Sequence, residues 1–209
     1  MANHQQPQNN PSKPAFVLGN GRSRLAININ DLLPKGITFA CNAIYREASV
    51  DHLIAVDVKM VNEIVSAGYN QNHTVWTNPN KGILNTTNLN FFDPHKGWSS
   101  GPTALWLAAT MGHREIYILG FDFEGIEGKF NNVYADTFNY KNSWEVPTFY
   151  GNWVTQTERV IKDFPSTTFY RLVGNKKYFT PPALADQRNL IHMNYDTLAT
   201  NFGLTLQKS

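Results

Sequence analysis

Cysteine is almost absent from this chain, long apolar runs are absent altogether, and neither sign of charge dominates. A single cysteine, Cys41, in 209 residues excludes an intrachain disulfide. No Cys/His grouping has the spacing of a structural zinc site, and a reducing, cytoplasmic setting is the expectation. Nowhere do about 18 apolar residues follow one another, so no membrane span is expected. Residues 1–13 are rich in Gln, Asn and Pro, lack the apolar centre of an export signal, and read as a disordered tail. Eighteen Lys and Arg against 16 Asp and Glu leave a formal net charge of +2, too little to point to nucleic acid. What is present is globular: 42% hydrophobic and 13% aromatic residues. The length suits one domain rather than two, expected over residues 14–209.

The apolar run 14–18 breaks into Gly19-Asn20-Gly21-Arg22-Ser23, and a short helical stretch follows to Leu33 before Pro34-Lys35-Gly36 stops it. Short strands are expected at 37–40, 52–56 and 73–76, with a further one inside 85–92. A helix is expected at 59–67. Another begins at Ser100 with Pro102 in its first turn, carries Ala104, Leu107, Ala108 and Met111 at helical spacing, and closes at Gly112. A strand at 115–119 ends in Gly120-Phe121-Asp122-Phe123, and a helix at 154–164 and a strand at 168–173 follow. The remainder reads as a loop around Pro181-Pro182 and a small helix from about Tyr195. Strand and helix in short alternation mark an α/β domain with a mostly parallel sheet flanked by helices. Residues 125–148 have no apolar periodicity and are expected to form a lid-like insert.

The glycine turn 19–23 stands where such sheets bind ligands, between the carboxyl end of a strand and a helix start. Glycine there lets backbone N–H groups approach a phosphate, whereas an ordinary tight turn is the alternative for an isolated Gly-X-Gly. The third glycine of the dinucleotide fingerprint is missing, as is the Gly-Lys-Ser/Thr of a P-loop. Ser99-Ser100-Gly101-Pro102 offers a second helix start, for an anion or simply for capping. Asp57 and Asp122 each end a strand and should emerge at the same edge, to hold a ribose or a metal or to cap a helix. His52, His73, His95, His113 and His192 are scattered without ligand spacing, so no metal site is expected. Trp98 and Trp144 lie in loops near the expected cleft, where either can stack on a base or sugar.

Three segments carry a resemblance: Phe16-Val17-Leu18-Gly19-Asn20-Gly21-Arg22-Ser23-Arg24-Leu25, then Cys41-Asn42, then the run from Ser100 to Phe123. In order and spacing they resemble the CMP-sialic-acid-dependent sialyltransferases of glycosyltransferase family 42. They are also similar to the domain-of-unknown-function 115 group, which includes archaeal hydroxymethylpterin pyrophosphokinases. The resemblance implies a Rossmann-like three-layer fold and a nucleotide-sugar donor, CMP-linked, with no further cofactor. It places the donor's phosphate and sugar on Gly19, Asn20 and Gly21, with Asn42, Ser100 and Gly101 beside them and the base near Asp122 and Phe123. Tyr134 and Tyr140 are the nearest counterparts of the tyrosines that steady the leaving phosphate. Mg²⁺, between Asp57 and Asp122, is implied only on the pyrophosphokinase alternative.

The chain departs from the family in two places. Arg22 replaces the usual proline of the glycine turn and, with Ser23, adds donors for a phosphate. Tyr150-Gly151-Asn152-Trp153 stands where the family has its catalytic histidine, and no histidine occurs between His113 and His192. Inverting transfer needs a base, so Asp136 or Glu145, desolvated by Phe138, Tyr140 and Trp144, is expected to serve, or else the domain binds without catalysing. The partners expected are a nucleotide or nucleotide-sugar and an acceptor, not nucleic acid, with self-association left open.

Overall fold

The computed structural model describes residues 10–174 and 178–207. It contains strands β1 (Ala15–Leu18), β2 (Ile37–Cys41), β3 (His52–Ile54), β4 (Val75–Thr77), β5 (Asn90–Phe91), β6 (Glu115–Leu119), β7 (Thr168–Val173) and β8 (Leu190–Asn194). The α-helices are α1 (Val58–Ser66), α2 (Ser100–Thr110), α3 (Gly151–Asp163), α4 (Pro182–Ala185) and α5 (Tyr195–Phe202). All eight strands form one parallel sheet in the order β5-β4-β3-β2-β1-β6-β7-β8.

The central strands are uninterruptedly apolar because both faces of the sheet are covered. Successive side chains point to opposite faces, so Phe16 and Leu18 of β1 join one core and Ala15 and Val17 the other. The first core is closed by Met60, Val61 and Ile64 of α1 and by Tyr195 and Leu198 of α5. The second is closed by α2, by Val160 and Ile161 of α3, and by Leu184 of α4. Helix α2 is apolar around most of its circumference because it crosses the sheet centre against β1, β2, β3 and β6, with α3 beside it. These layers are the α/β, Rossmann-like three-layer arrangement.

Three expectations are corrected. The stretch after the glycine turn is not one helix but three short 3-10 turns, Arg22–Ala26, Ile29–Asp31 and Leu33–Lys35. The side chain of Asn28 accepts the Asn30 N–H, and Pro34 has no N–H to donate, so the backbone breaks at both points. Helix α3 begins at Gly151, three residues earlier than expected. Strand β8 was not expected, because the half-exposed edge sequence Leu190-Ile191-His192-Met193 shows neither alternation nor a clean apolar run.

The expected tail falls mostly on residues 1–9, which lie outside the described residues. Residues 10–13 form a turn in which the Lys13 N–H donates to Asn10 O at 3.0 Å, and His113 Nδ1 donates to Lys13 O at 2.9 Å. The insert 125–148 has no helix or strand, yet Phe130 and Tyr134 are buried, and the Val133 N–H donates to Asn20 O at 2.8 Å. Its first half is therefore part of the wall around the sheet edge. Between β1 and β6 the strand order reverses, the point at which open α/β sheets form a crevice beyond their carboxyl ends.

Candidate functional site

The register pairs Leu18 with Leu119, so Gly19 and Gly120 leave the sheet side by side. Their turns interlock: Gly19 N–H donates to Leu119 O at 2.8 Å and Gly21 N–H to Gly120 O at 2.9 Å. A Cβ on Gly19 would lie 2.7 Å from Gly120 O, and one on Gly21 would lie 2.5 Å from Asp122 Oδ2. Gly120, at φ +68°, has the same conflict with Gly19 O at 2.7 Å. These glycines are required by the close crossing of two turns. Two further donors of the turn are also taken, because Arg22 N–H bonds Asn131 Oδ1 at 2.9 Å and Ser23 N–H bonds Asp122 Oδ2 at 3.1 Å. Ser23 Oγ and Asn131 Nδ2 donate to the same carboxylate. Asp122 thus fastens the two turns together.

Beyond the turns lies a cleft of about 560 Å³, bounded by the ends of β1, β2, β3 and β6 and by the start of α2. Of the expected contacts, Gly19, Asn20, Gly21, Asn42, Ser100, Gly101, Asp122 and Phe123 line it, whereas Arg22 and Ser23 do not. Asn20 Nδ2 donates to Cys41 O and to Tyr140 Oη, each at 3.3 Å, which fixes the amide and leaves a buried Oδ1 without a partner. Asn42, at φ +58°, turns the chain at the end of β2, and its Oδ1 is likewise buried and unpartnered. Asn78 Oδ1, after β4, and Tyr150 Oη, before α3, complete a set of four such atoms on lining residues. The Tyr150 hydroxyl approaches the Asn131 backbone N–H without completing a hydrogen bond, and burial raises its pKa above the ordinary tyrosine value.

At the start of α2, neither serine caps the helix through its side chain. Ser99 N–H donates to Gln156 Oε1 at 3.0 Å, and Ser100 Oγ accepts the Val56 N–H at 3.1 Å. The backbone N–H groups of Ser100 and Gly101 remain at the positive end of the helix, on lining residues. Asp57 precedes α1 without capping it and opens onto the cleft. Among the described residues the charged groups of the lining are Asp57, Asp122 and Glu124, with no Lys or Arg. Trp98, Phe121, Tyr150 and Trp153 supply aromatic surface.

The expected catalytic residues stand elsewhere. Asp136 is exposed, at φ +66°, and accepts the Ser143 N–H at 2.9 Å, a bond that holds its carboxyl below the usual range. Glu145 accepts the Asn142 N–H at 2.6 Å. Phe138 and Trp144 are 75% and 70% exposed, so the aromatic desolvation expected around these carboxylates is not formed. Tyr134 bonds Glu47 and receives Arg24 Nη2 at 3.0 Å, and burial drives its pKa far upward. None of the three lines the cleft. Cys41 does, but burial pushes its thiol up to about 12 and Sγ donates to Leu18 O, so it is inert. Asn78, Tyr150 and Trp153 went unrecognised as binding residues. Asn78 had the one available signal, a polar residue closing a strand, as Asp57 and Asp122 do.

No protein-family model matches the chain, and no curated protein or solved structure does. The class that fold and site define is an α/β, Rossmann-like three-layer domain with an open cleft at its strand-order reversal. Among the described residues no helix is long and apolar enough to cross a membrane.

Proposed function

We propose that the chain binds a CMP-linked nucleotide-sugar in this cleft and transfers the sugar to an acceptor. The observation that carries the reading is the set of four buried, unpartnered polar atoms on Asn20, Asn42, Asn78 and Tyr150. A buried polar group without a partner costs about 1–3 kcal/mol, so atoms gathered in one cleft point to a ligand that satisfies them. Three of the four are amide oxygens and call for donors, which sugar hydroxyls and an exocyclic amine supply. The phosphate belongs at the Ser100 and Gly101 N–H groups. A helix start offers only about half a positive charge, and the lining adds carboxylates rather than cations. This balance favours the singly charged phosphodiester of a CMP-sugar over a diphosphate. Asp57, whose side chain makes no cap hydrogen bond to α1 and opens onto the cleft, takes the role of base that Asp136 and Glu145 do not stand in place to fill.

Thermal shifts with CMP, CDP, UDP and AMP, each with and without Mg²⁺, test the binding. CMP is expected to stabilise most and independently of Mg²⁺, by about 2.7 kcal/mol at a hundredfold excess over its dissociation constant. Preference for a diphosphate with Mg²⁺ would support the pyrophosphokinase alternative instead. Asp57→Asn is expected to retain CMP binding and to lose about 10²- to 10⁴-fold in donor turnover. A wild type that binds CMP and consumes no CMP-sugar would leave the non-catalytic binding domain as the correct reading.

A further inference from the structure

We propose that an apolar depression beside the cleft is the subsite for an aromatic or short acyl group carried by the acceptor, an assignment that rests on the transferase reading above. The depression, of about 520 Å³, lies beside the edge strand β5 and is lined by Pro79, Leu84, Phe91, Phe92 and Pro94, with Asp93 and His95 as its polar members.

Its walls are preformed. Phe92 is buried, stacks on Trp76 at 5.4 Å between centroids, and meets Trp106 edge-on at 5.9 Å. Its backbone N–H donates to Thr77 O at 3.0 Å, which ties the segment after β5 to β4. On the opposite side, Asn80 closes a turn by accepting Gly82 N–H through its side chain, and Ile83 and Leu84 N–H through its carbonyl. Ile83 is buried beneath that turn, which throws the adjacent Leu84 outward, 51% exposed, onto the depression.

The two sites share their partitions. Asn78 lines the cleft and Pro79 the depression, while His95 lines the depression and Gly97 and Trp98 the cleft. Lys96 lies between them with Nζ over the Trp98 and Trp106 rings, at 5.7 and 5.2 Å from their centroids. An acceptor whose hydroxyl reaches Asp57 can therefore extend its other end past Asn78 and across this partition onto carbon. The lining has no array of donors for a phosphate, and β5 is two residues long, too short an edge for a peptide to add as a strand. A compact apolar group joined to a hydroxyl-bearing sugar is the occupant that matches both halves.

The test titrates phenyl β-glucoside and methyl β-glucoside into the full chain, with and without CMP, while backbone and methyl resonances of residues 79–95 are followed by NMR. Phenyl β-glucoside is expected to bind at least tenfold more tightly than the methyl compound and to shift Leu84 and Phe91. Leu84→Asp, at a half-exposed turn position, is expected to abolish that preference while leaving CMP affinity and melting temperature unchanged. Equal affinity of the two glucosides, or an undiminished preference in Leu84→Asp, overturns the proposal even if CMP binds. Phenyl-dependent shifts at Leu84 and Phe91 in a protein that ignores CMP would uphold the apolar subsite and overturn the donor reading alone.

Discussion

A methyl group on Gly21 would meet both the Asp122 carboxylate, at 2.5 Å, and the Gly120 carbonyl, at 2.7 Å. Neither neighbour is the free end of a flexible chain: Asp122 holds Ser23 and Asn131, and Gly120 lies in the facing turn. Gly21→Ala is therefore expected to destabilise the fold by about 1–3 kcal/mol, as overpacking does, visible as a lower urea midpoint at unchanged m-value. A variant as stable as wild type would show that the turns separate easily and that Gly21 is free to serve a ligand. The glycine turn was legible in the sequence as a place at the sheet edge, but its physical reason was not. Its partner, Gly120, lies about a hundred residues away, and no local pattern distinguishes glycines that admit a phosphate from glycines that admit another backbone. Asn20 and Asn42 were likewise legible by position, while the fact that their oxygens are spare emerges only when Tyr140 and Cys41 are seen to occupy the Asn20 amide nitrogen.

At the scale of elements, legibility followed burial. Strands β1, β2 and β6 lie in the sheet centre and read directly as apolar runs, whereas the edge strand β8 and the 3-10 turns after β1 did not. The insert shows why composition alone misjudges a loop. Its middle, residues 137–139, is bound by charged groups from two other elements: the Arg46 guanidinium donates to Glu63, Thr137 Oγ1 and Phe138 O, and Asn139 Nδ2 donates to Glu63 at 2.7 Å. Burial raises the Glu63 pKa, but the bonds from Tyr45, Arg46 and Asn139 outweigh it and hold the carboxyl below its ordinary value. The insert's end instead exposes Trp144 and Val146, and Phe149 just beyond it is exposed as well. Limited proteolysis with chymotrypsin is therefore expected to cut first after Trp144 or Phe149, sparing the bond after Phe138, whose carbonyl Arg46 holds, and the bond after the partly buried Tyr140. First cleavage at Tyr134 or Tyr140 would show that the clamp does not hold and that the whole insert opens as a lid.

Taken whole, the molecule places its candidate chemistry at the carboxyl edge of the sheet, and at the amino edge it buries imidazoles. His52 at the start of β3 is fully buried; it accepts Trp76 Nε1–H at Nδ1 at 3.2 Å and stacks on Phe39 at 4.6 Å, leaving Nε2 buried and unpartnered. Protonating that ring puts a charge into the core, and burial accordingly lowers its pKa from 6.5 to about 4, with His113 lowering it further and Asp51 opposing. Burial also lowers His113, against the Lys13 carbonyl that it bonds. For both groups the folded pKa lies below the unfolded one, so between the two values the unfolded chain binds more protons and stability falls as the pH falls. The His52 contribution is complete above about pH 6.5 and is lost toward pH 4, on the order of 3 kcal/mol for a shift of that size. Carboxylates with lowered pKa, such as Glu63, lose their contribution only below their ordinary range, which leaves pH 6.5 to 4.5 as a window dominated by histidine. Urea unfolding of wild type across that window is expected to show stability dropping steadily. His52→Phe keeps the stacking surface on Phe39 but cannot take a proton, and its stability should fall less steeply, by up to the slope of one bound proton, about 1.4 kcal/mol per pH unit, even though losing the Trp76 bond lowers its stability at pH 7. A variant with the same slope as wild type would mean that His52 is already protonated in the fold or remains neutral in the unfolded chain, and that the amino edge carries no acid sensitivity of this origin.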